Sequence, residues 1–115
     1  MPGPADLTRE QFARWWRETG ELELRQILFW RWDPIGVADA FPTTADEYDG
    51  YGPGVVALLR AGASEDDLAD HLGFVERETM LLSSDDPDRR AEVAQLLASW
   101  FGNSLARWHH HDGSA

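Results

Sequence analysis

Apolar residues recur at helical spacing along much of this chain, and no segment shows the strict alternation that is typical of a half-buried strand. The first helical segment follows Thr8, which forms a capping box with Gln11. A helix is therefore predicted to begin near Arg9. Gly20 is the expected end of this helix, because glycine commonly occupies the position that follows a helix.

A second helix is predicted from about Glu21 to Trp30, with leucine and isoleucine at helical spacing. It must end by Asp33, because a proline disfavours helical backbone at the residue before it. From Pro34 to Gly52 the periodicity is lost, and glycine, proline, threonine and aspartate are frequent. This stretch is predicted to be a long ordered loop between the second and third helices.

Three more helices are predicted in the second half of the chain. A short one runs from Pro53 to Gly62, and Ser64 caps the next. That helix either stops at Gly73 or continues towards Met80, and the sequence leaves both alternatives open. The last helix is predicted from Pro87 to about Trp108. The expected fold class is all-α, an irregular bundle of about five helices.

The length of 115 residues predicts one helical domain with a core of its own, covering residues 1–115. Residues 1–6 and 109–115 are expected to be disordered tails. The chain has no cysteine, no leader-like start and no apolar run long enough for a membrane span. We therefore expect a cytoplasmic protein that does not enter a membrane.

Charge narrows the range of partners. The chain has 21 acidic residues against 10 basic ones, giving a formal net charge of -11, and the basic residues are dispersed. Such a chain repels phosphate backbones, so no nucleic-acid binding is expected. It favours a protein partner with a basic surface, although acidic residues also simply keep small proteins in solution.

Aromatic and acidic residues alternate near the predicted loop, a pattern that suits recognition of a basic protein. Carboxylates would steer the partner, and rigid aromatic rings would anchor it. The leading hypothesis is a protein-binding module of immunity or inhibitor type that masks a basic surface. The candidate partner-binding residues are Trp32, Asp33, Asp46, Glu47, Tyr48, Asp49 and Tyr51.

Two other interpretations remain open for the same residues. If the loop folds back, the carboxylates of Asp33, Asp46 and Asp49 could hold a divalent cation, which would make this a metal-binding or metal-stabilised protein. Their spacing does not match the calcium-loop pattern, so no metal site is assigned. Alternatively, the acidic loop merely packs against Arg25 or Arg31 in an orphan structural domain.

No catalytic motif is present, so the chain is not expected to be an enzyme, and no cofactor is expected. His71 is interpreted as an ordinary surface residue on a helix. The tract from His109 to His111 could bind transition metals loosely, but a frayed terminal tract or an expression remnant is the favoured interpretation.

Three parts of the sequence carry a family resemblance. They are Trp32-Asp33-Pro34-Ile35-Gly36-Val37, then Asp46-Glu47-Tyr48-Asp49-x-Tyr51, and then, after a short apolar helix, Gly62-Ala63-Ser64-Glu65. The chain resembles a small uncharacterised bacterial protein family with a WDPIG…DEYD.Y signature, some members of which are associated with toxin–immunity settings. The resemblance covers roughly residues 27–72, and a glycine that commonly follows the segment matching Glu78 to Met80 is replaced here by Leu81. It implies no catalytic residues.

Overall fold

The structure is a computed structural model, and it describes residues 7–33, 48–79 and 86–112. Regular structure within these ranges is helical throughout, which confirms the predicted all-α fold. The α-helices are α1 (Arg9–Trp15), α2 (Glu21–Ile27), α3 (Gly52–Arg60), α4 (Glu65–Phe74) and α5 (Pro87–Asp112). Wider π-helical turns follow three of them, at Trp16–Gly20, Leu28–Trp32 and Val75–Thr79, and a 3-10 turn at Asp49–Tyr51 leads into α3.

The capping box at Thr8 is confirmed, since the side chains and backbone amides of Thr8 and Gln11 bond reciprocally. The predicted end at Gly20 is wrong, because the helical backbone continues through it from α1 into α2. The glycine serves close packing instead: a Cβ added there would lie 2.7 Å from the Trp15 ring.

This long helical stretch ends at Asp33, as the following proline predicts. Asp33 has left-handed backbone angles, with φ 34° and ψ 58°, and its N–H donates to the Leu28 carbonyl at 3.0 Å. Aspartate is one of the few residues other than glycine that adopts this conformation readily. Asp33 is therefore the C-cap of the helical stretch, whose last helical residue is Trp32.

The second half begins as predicted and resolves one open alternative. Gly62 ends α3 with φ +85°, and Ser64 forms a capping box with Asp67 at the start of α4. The helical backbone passes through Gly73 and continues as a π turn to Thr79. A Cβ at Gly73 would lie 3.0 Å from the Arg77 guanidinium, so this glycine also makes room for a neighbouring side chain.

The last helix, α5, begins at Pro87 after Asp86, whose carboxylate accepts the backbone N–H of Arg89 at 3.1 Å. It runs to Asp112, so the prediction of a disordered tail from residue 109 is wrong for 109–112. Most of the predicted loop, residues 34–47, lies outside the described residues, as do 1–6 and 113–115.

The core lies where α5 packs against α4 and against the long helical stretch from α1 to the second π turn. Helix α2 runs antiparallel to α5, since Glu23 reaches Trp100 and Ser104 while Trp30 lies beside Leu96. None of the described helices is both long enough and apolar enough to cross a bilayer. Fully buried side chains include Trp15, Leu24, Leu28, Trp32, Tyr48, Val55, Leu68, Leu72 and Leu97.

Candidate functional site

Trp32 is the centre of the candidate site, and its indole is fully buried. Its ring packs against Tyr48, with centroids 5.5 Å apart, and lies edge-on to Tyr51 at 6.0 Å. The indole N–H donates to Oε2 of Glu76 at 2.8 Å. We call Trp32, Asp33, Tyr48, Asp49 and Tyr51 the Trp32 corner.

The Tyr48 hydroxyl links the two sides of this corner, because it donates to Oδ1 of Asp33 at 2.7 Å while its ring is buried. The expectation that Trp32 and Tyr48 are exposed contact anchors is therefore wrong. Packing the two rings against each other gives a lower free energy than exposing two large aromatic surfaces to water. Tyr51 is partly buried.

Asp49 also has an internal partner, since its Oδ1 lies 3.1 Å from Nε of Arg25 on α2. This contact is an ion pair only. The buried Nε atom of Arg25 has no hydrogen-bond partner, so its geometry with Asp49 is not that of a hydrogen bond. Pairing with Arg25 is what the structural interpretation of the acidic loop predicts. Asp46 and Glu47, the other acidic candidates, lie outside the described residues.

Glu76 is a residue of this site that the sequence did not single out. Its side chain is buried, and both carboxylate oxygens have partners: Oε2 accepts from Trp32, and Oε1 accepts from Arg90 at 3.1 Å. The π turn after α4 carries Glu76, and the first turns of α5 carry Arg90. The Trp32–Glu76–Arg90 chain therefore joins α2, α4 and α5 beneath the corner.

A second network links α2 to the end of α5. Oε1 of Glu23 accepts from Ser104 at 2.6 Å and from the Trp100 indole at 3.0 Å. Burial alone would raise the pKa of Glu23, but these hydrogen bonds and the Arg107 charge outweigh it and hold the pKa below its ordinary value. The Ser104 hydroxyl in turn accepts from the buried Trp15 indole at 3.0 Å.

The last tryptophan of the chain, which is buried, repeats the arrangement with an exposed glutamate as its acceptor. Its indole N–H, on Trp108, donates to Oε1 of Glu18 at 3.0 Å. The Trp108 hydrogen bond and the nearby Arg14 lower the pKa of Glu18. Glutamates thus accept indole N–H groups at several places, a use of acidic residues that composition alone does not reveal.

A cleft of about 260 Å³ lies beside the Trp32 corner. Within the described ranges, no three or more His, Asp or Glu side chains are grouped closely enough to hold a metal ion. The Arg25–Asp49 ion pair borders the cleft, so its polar edge already carries internally paired charges. Its lining residues are Trp16, Glu21, Leu24, Arg25, Leu28, Asp49, Gly52 and Pro53.

Comparison with known proteins does not identify the chain. No protein-family model, curated protein or solved structure matches the chain. The resemblance to the WDPIG…DEYD.Y family stays a prediction, and function must be argued from the site and the surface.

Proposed function

We propose that this chain is a non-catalytic protein-binding module, of immunity or inhibitor type, that covers a basic surface on its partner. The observation that supports this proposal best is the net negative charge, which ion pairing within the chain does not change. Each internal ion pair cancels one acid with one arginine, so the net charge of -11 remains. Such an excess attracts basic surfaces and accelerates association.

Exposed carboxylates on α4 are the described groups best placed for this steering. Glu65, Asp66 and Asp70 are exposed, and Asp66 and Asp70 share one face of the helix because they are four residues apart. Asp46 and Glu47 remain proposed steering residues. Trp32, Asp33, Tyr48 and Asp49 hold the corner together rather than form the contact surface.

The test is a partner captured from the native host, with a toxin encoded beside this chain as the first candidate. Association and dissociation rates are then measured for the wild type and for Asp66→Asn/Asp70→Asn, at low salt and at high salt. We expect the double variant to associate about tenfold more slowly at low salt, and the difference to shrink at high salt.

The matched control is Asp88→Asn/Glu92→Gln, which removes the same amount of charge from exposed positions on α5. It should slow association less, because local charges at the contact surface dominate steering once distant ones are screened. An association rate that responds neither to salt nor to either variant contradicts the proposal. An immunity role further requires that the captured partner lose its own activity on binding.

A further inference from the structure

The cleft beside the Trp32 corner combines apolar walls with a charged edge. Trp16, Leu24 and Pro53 supply apolar surface, and the volume of the cleft is about 260 Å³. Sites that enclose a whole small-molecule ligand typically measure about 300–1,000 Å³. The cleft lies just below that range, so its size suits a single side chain better than a drug-sized molecule.

Two of the π turns contribute to this cleft. Trp16 is the first residue of one turn, and Leu28 is the first residue of the other. Turns of this kind are rare in proteins and frequently occur at functional sites. The backbone around the cleft therefore has a feature that is typical of a binding site.

Three charged side chains form the polar edge of the cleft: Glu21, Arg25 and Asp49. Arg25 lies four residues after Glu21, which is the spacing of a helical ion pair, but its Nε lies 3.1 Å from Asp49 instead. Because Arg25 is paired with Asp49, Glu21 forms no ion pair with any described residue. Two negative charges against one positive charge leave the edge with a net charge of -1.

The same edge has unused hydrogen-bonding capacity. Neither the Glu21 nor the Asp49 carboxylate accepts a hydrogen bond from a residue that the structure describes. A carboxylate has several lone-pair sites, so Asp49 can accept from a second cation while it stays paired with Arg25. The edge therefore suits a cation with several N–H donors, and two carboxylates would repel an anion.

We propose that the cleft receives one arginine side chain of the basic protein partner. The guanidinium donates to the carboxylates at the edge and stacks on the Trp16 ring, while the apolar stem packs against the walls. Lysine fits less well, because its ammonium has neither the planar fork nor the stacking face of arginine. This inference rests on the proposed function for the basic partner, and it adds the site that holds one of its side chains.

Nα-acetylarginine N-methylamide tests the cleft without the partner. The compound is titrated into the isotope-labelled chain, and the indole N–H signal of Trp16, assigned with Trp16→Phe, is followed by NMR. We expect a saturable shift with a Kd in the millimolar range, as for a ligand of this size. The citrulline analogue has the same shape without the charge and should bind about tenfold more weakly. Equal affinity for the two compounds, or no saturable shift, overturns the proposal.

Two substitutions locate the bound guanidinium. Glu21→Gln removes the carboxylate that has no ion pair and should raise the Kd of the arginine compound about tenfold, since hydrogen bonds between charged groups are strong. Gly52→Ala should also weaken binding, because the added Cβ lies 3.5 Å from Trp16 and 3.6 Å from Leu24, between two walls of the cleft. These are ordinary contact distances, so the fold tolerates the methyl group.

The matched controls make the same changes outside the cleft. Glu10→Gln removes one charge from an exposed position on α1, and Gly50→Ala adds a methyl group where a Cβ meets nothing within 4 Å. Both should leave the Kd of the arginine compound unchanged. Binding that is as tight to Glu21→Gln or Gly52→Ala as to the wild type contradicts the proposal, and so does equal weakening by Glu10→Gln.

The captured partner separates this inference from the proposed function. Glu21→Gln should accelerate dissociation of the partner about tenfold, whereas Asp66→Asn/Asp70→Asn slows association. If association depends on salt and on the α4 charges but dissociation responds to neither Glu21→Gln nor Gly52→Ala, only the cleft assignment is wrong. If association does not depend on salt, the proposed function is wrong, whatever the result of the titration.

Discussion

Several tryptophan indoles of the described residues use glutamates as hydrogen-bond acceptors. Trp32 donates to the buried Glu76 and Trp100 donates to the partly buried Glu23, and in each case the indole ring is buried. A buried indole N–H needs an acceptor, and a carboxylate provides a strong one. Part of the acid content therefore has a structural role that is separate from any partner.

Glu76→Ala should strongly destabilise the fold. The substitution removes one acceptor of the Arg90 guanidinium and the acceptor of the Trp32 indole N–H in a buried site. Removing one partner of a buried ion pair typically costs about 3–5 kcal/mol. The free energy of unfolding in urea measures the effect, and Glu76→Gln should be less severe because it keeps an acceptor for the indole.

Glu78→Ala is the matched control, since Glu78 lies two residues away on the same π turn and is exposed. Its effect should stay within about 0.5 kcal/mol, as for most surface positions. Equal losses for Glu76→Ala and Glu78→Ala would show that the buried network contributes nothing specific.

Glu23 should make stability depend on pH in the acidic range. Its pKa in the folded chain lies below the ordinary value of 4.5, so its contribution is fully present above that value and disappears as the pH falls through the folded-state pKa. Wild type should therefore exceed Glu23→Gln in unfolding free energy at pH 7, and the gap should narrow below pH 4.5. A gap that stays constant down to pH 2 would contradict this linkage.

The sequence predicted only part of the Trp32 corner. One of the alternatives drawn from the sequence predicted the Arg25–Asp49 pair, because an acidic loop residue and a nearby arginine attract each other. The Trp32–Glu76 contact spans 44 positions in the sequence, and only the packing of α4 and of the second π turn against α5 brings the two together. The same pattern of aromatic and acidic residues can form a buried corner or an exposed surface, and the sequence does not distinguish these two structures.

At the scale of elements, Gly20 shows how one residue type can serve two purposes. Local chemistry predicted the caps at Thr8 and Ser64 correctly, because a cap depends only on residues three positions apart. A glycine can end a helix or admit a neighbouring side chain within it. At Gly20 the neighbour is the preceding turn's Trp15, and only the packed core reveals that contact.

Gly20→Ala should destabilise the chain although alanine favours helices. The added Cβ would lie 2.7 Å from the buried Trp15 ring, which cannot move without disturbing the core. Overpacking of this kind costs about 1–3 kcal/mol, more than the gain in helix propensity. Thermal unfolding followed by circular dichroism measures the difference.

Gly102→Ala provides the opposite expectation at a comparable position inside a helix. Gly102 lies in α5, and a Cβ there would meet nothing within 4 Å. The substitution should therefore stabilise the fold by about 0.5–1 kcal/mol, the usual gain from replacing glycine with alanine in a helix. If both glycines respond with the same sign, close packing at Gly20 is not the explanation for its presence.

At the scale of the whole molecule, the acid excess affects both association and stability. A net charge of -11 attracts a basic partner at long range and makes two copies of the chain repel each other. Salt screens both interactions. Binding of a basic partner should therefore weaken as the salt concentration rises.

The same charge excess should limit the stability of the monomer, because its carboxylates repel one another across the compact state. Adding sodium chloride to about 0.15 M, where the Debye length is about 8 Å, should raise the Tm of the chain. The double variant Asp70→Asn/Glu78→Gln should raise Tm at low salt and reduce the response of Tm to salt, since both side chains are exposed and lie well after the start of the helical stretch that begins at Glu65. A Tm that falls as salt is added would mean that attraction within ion pairs such as Arg90–Glu76 outweighs the net repulsion.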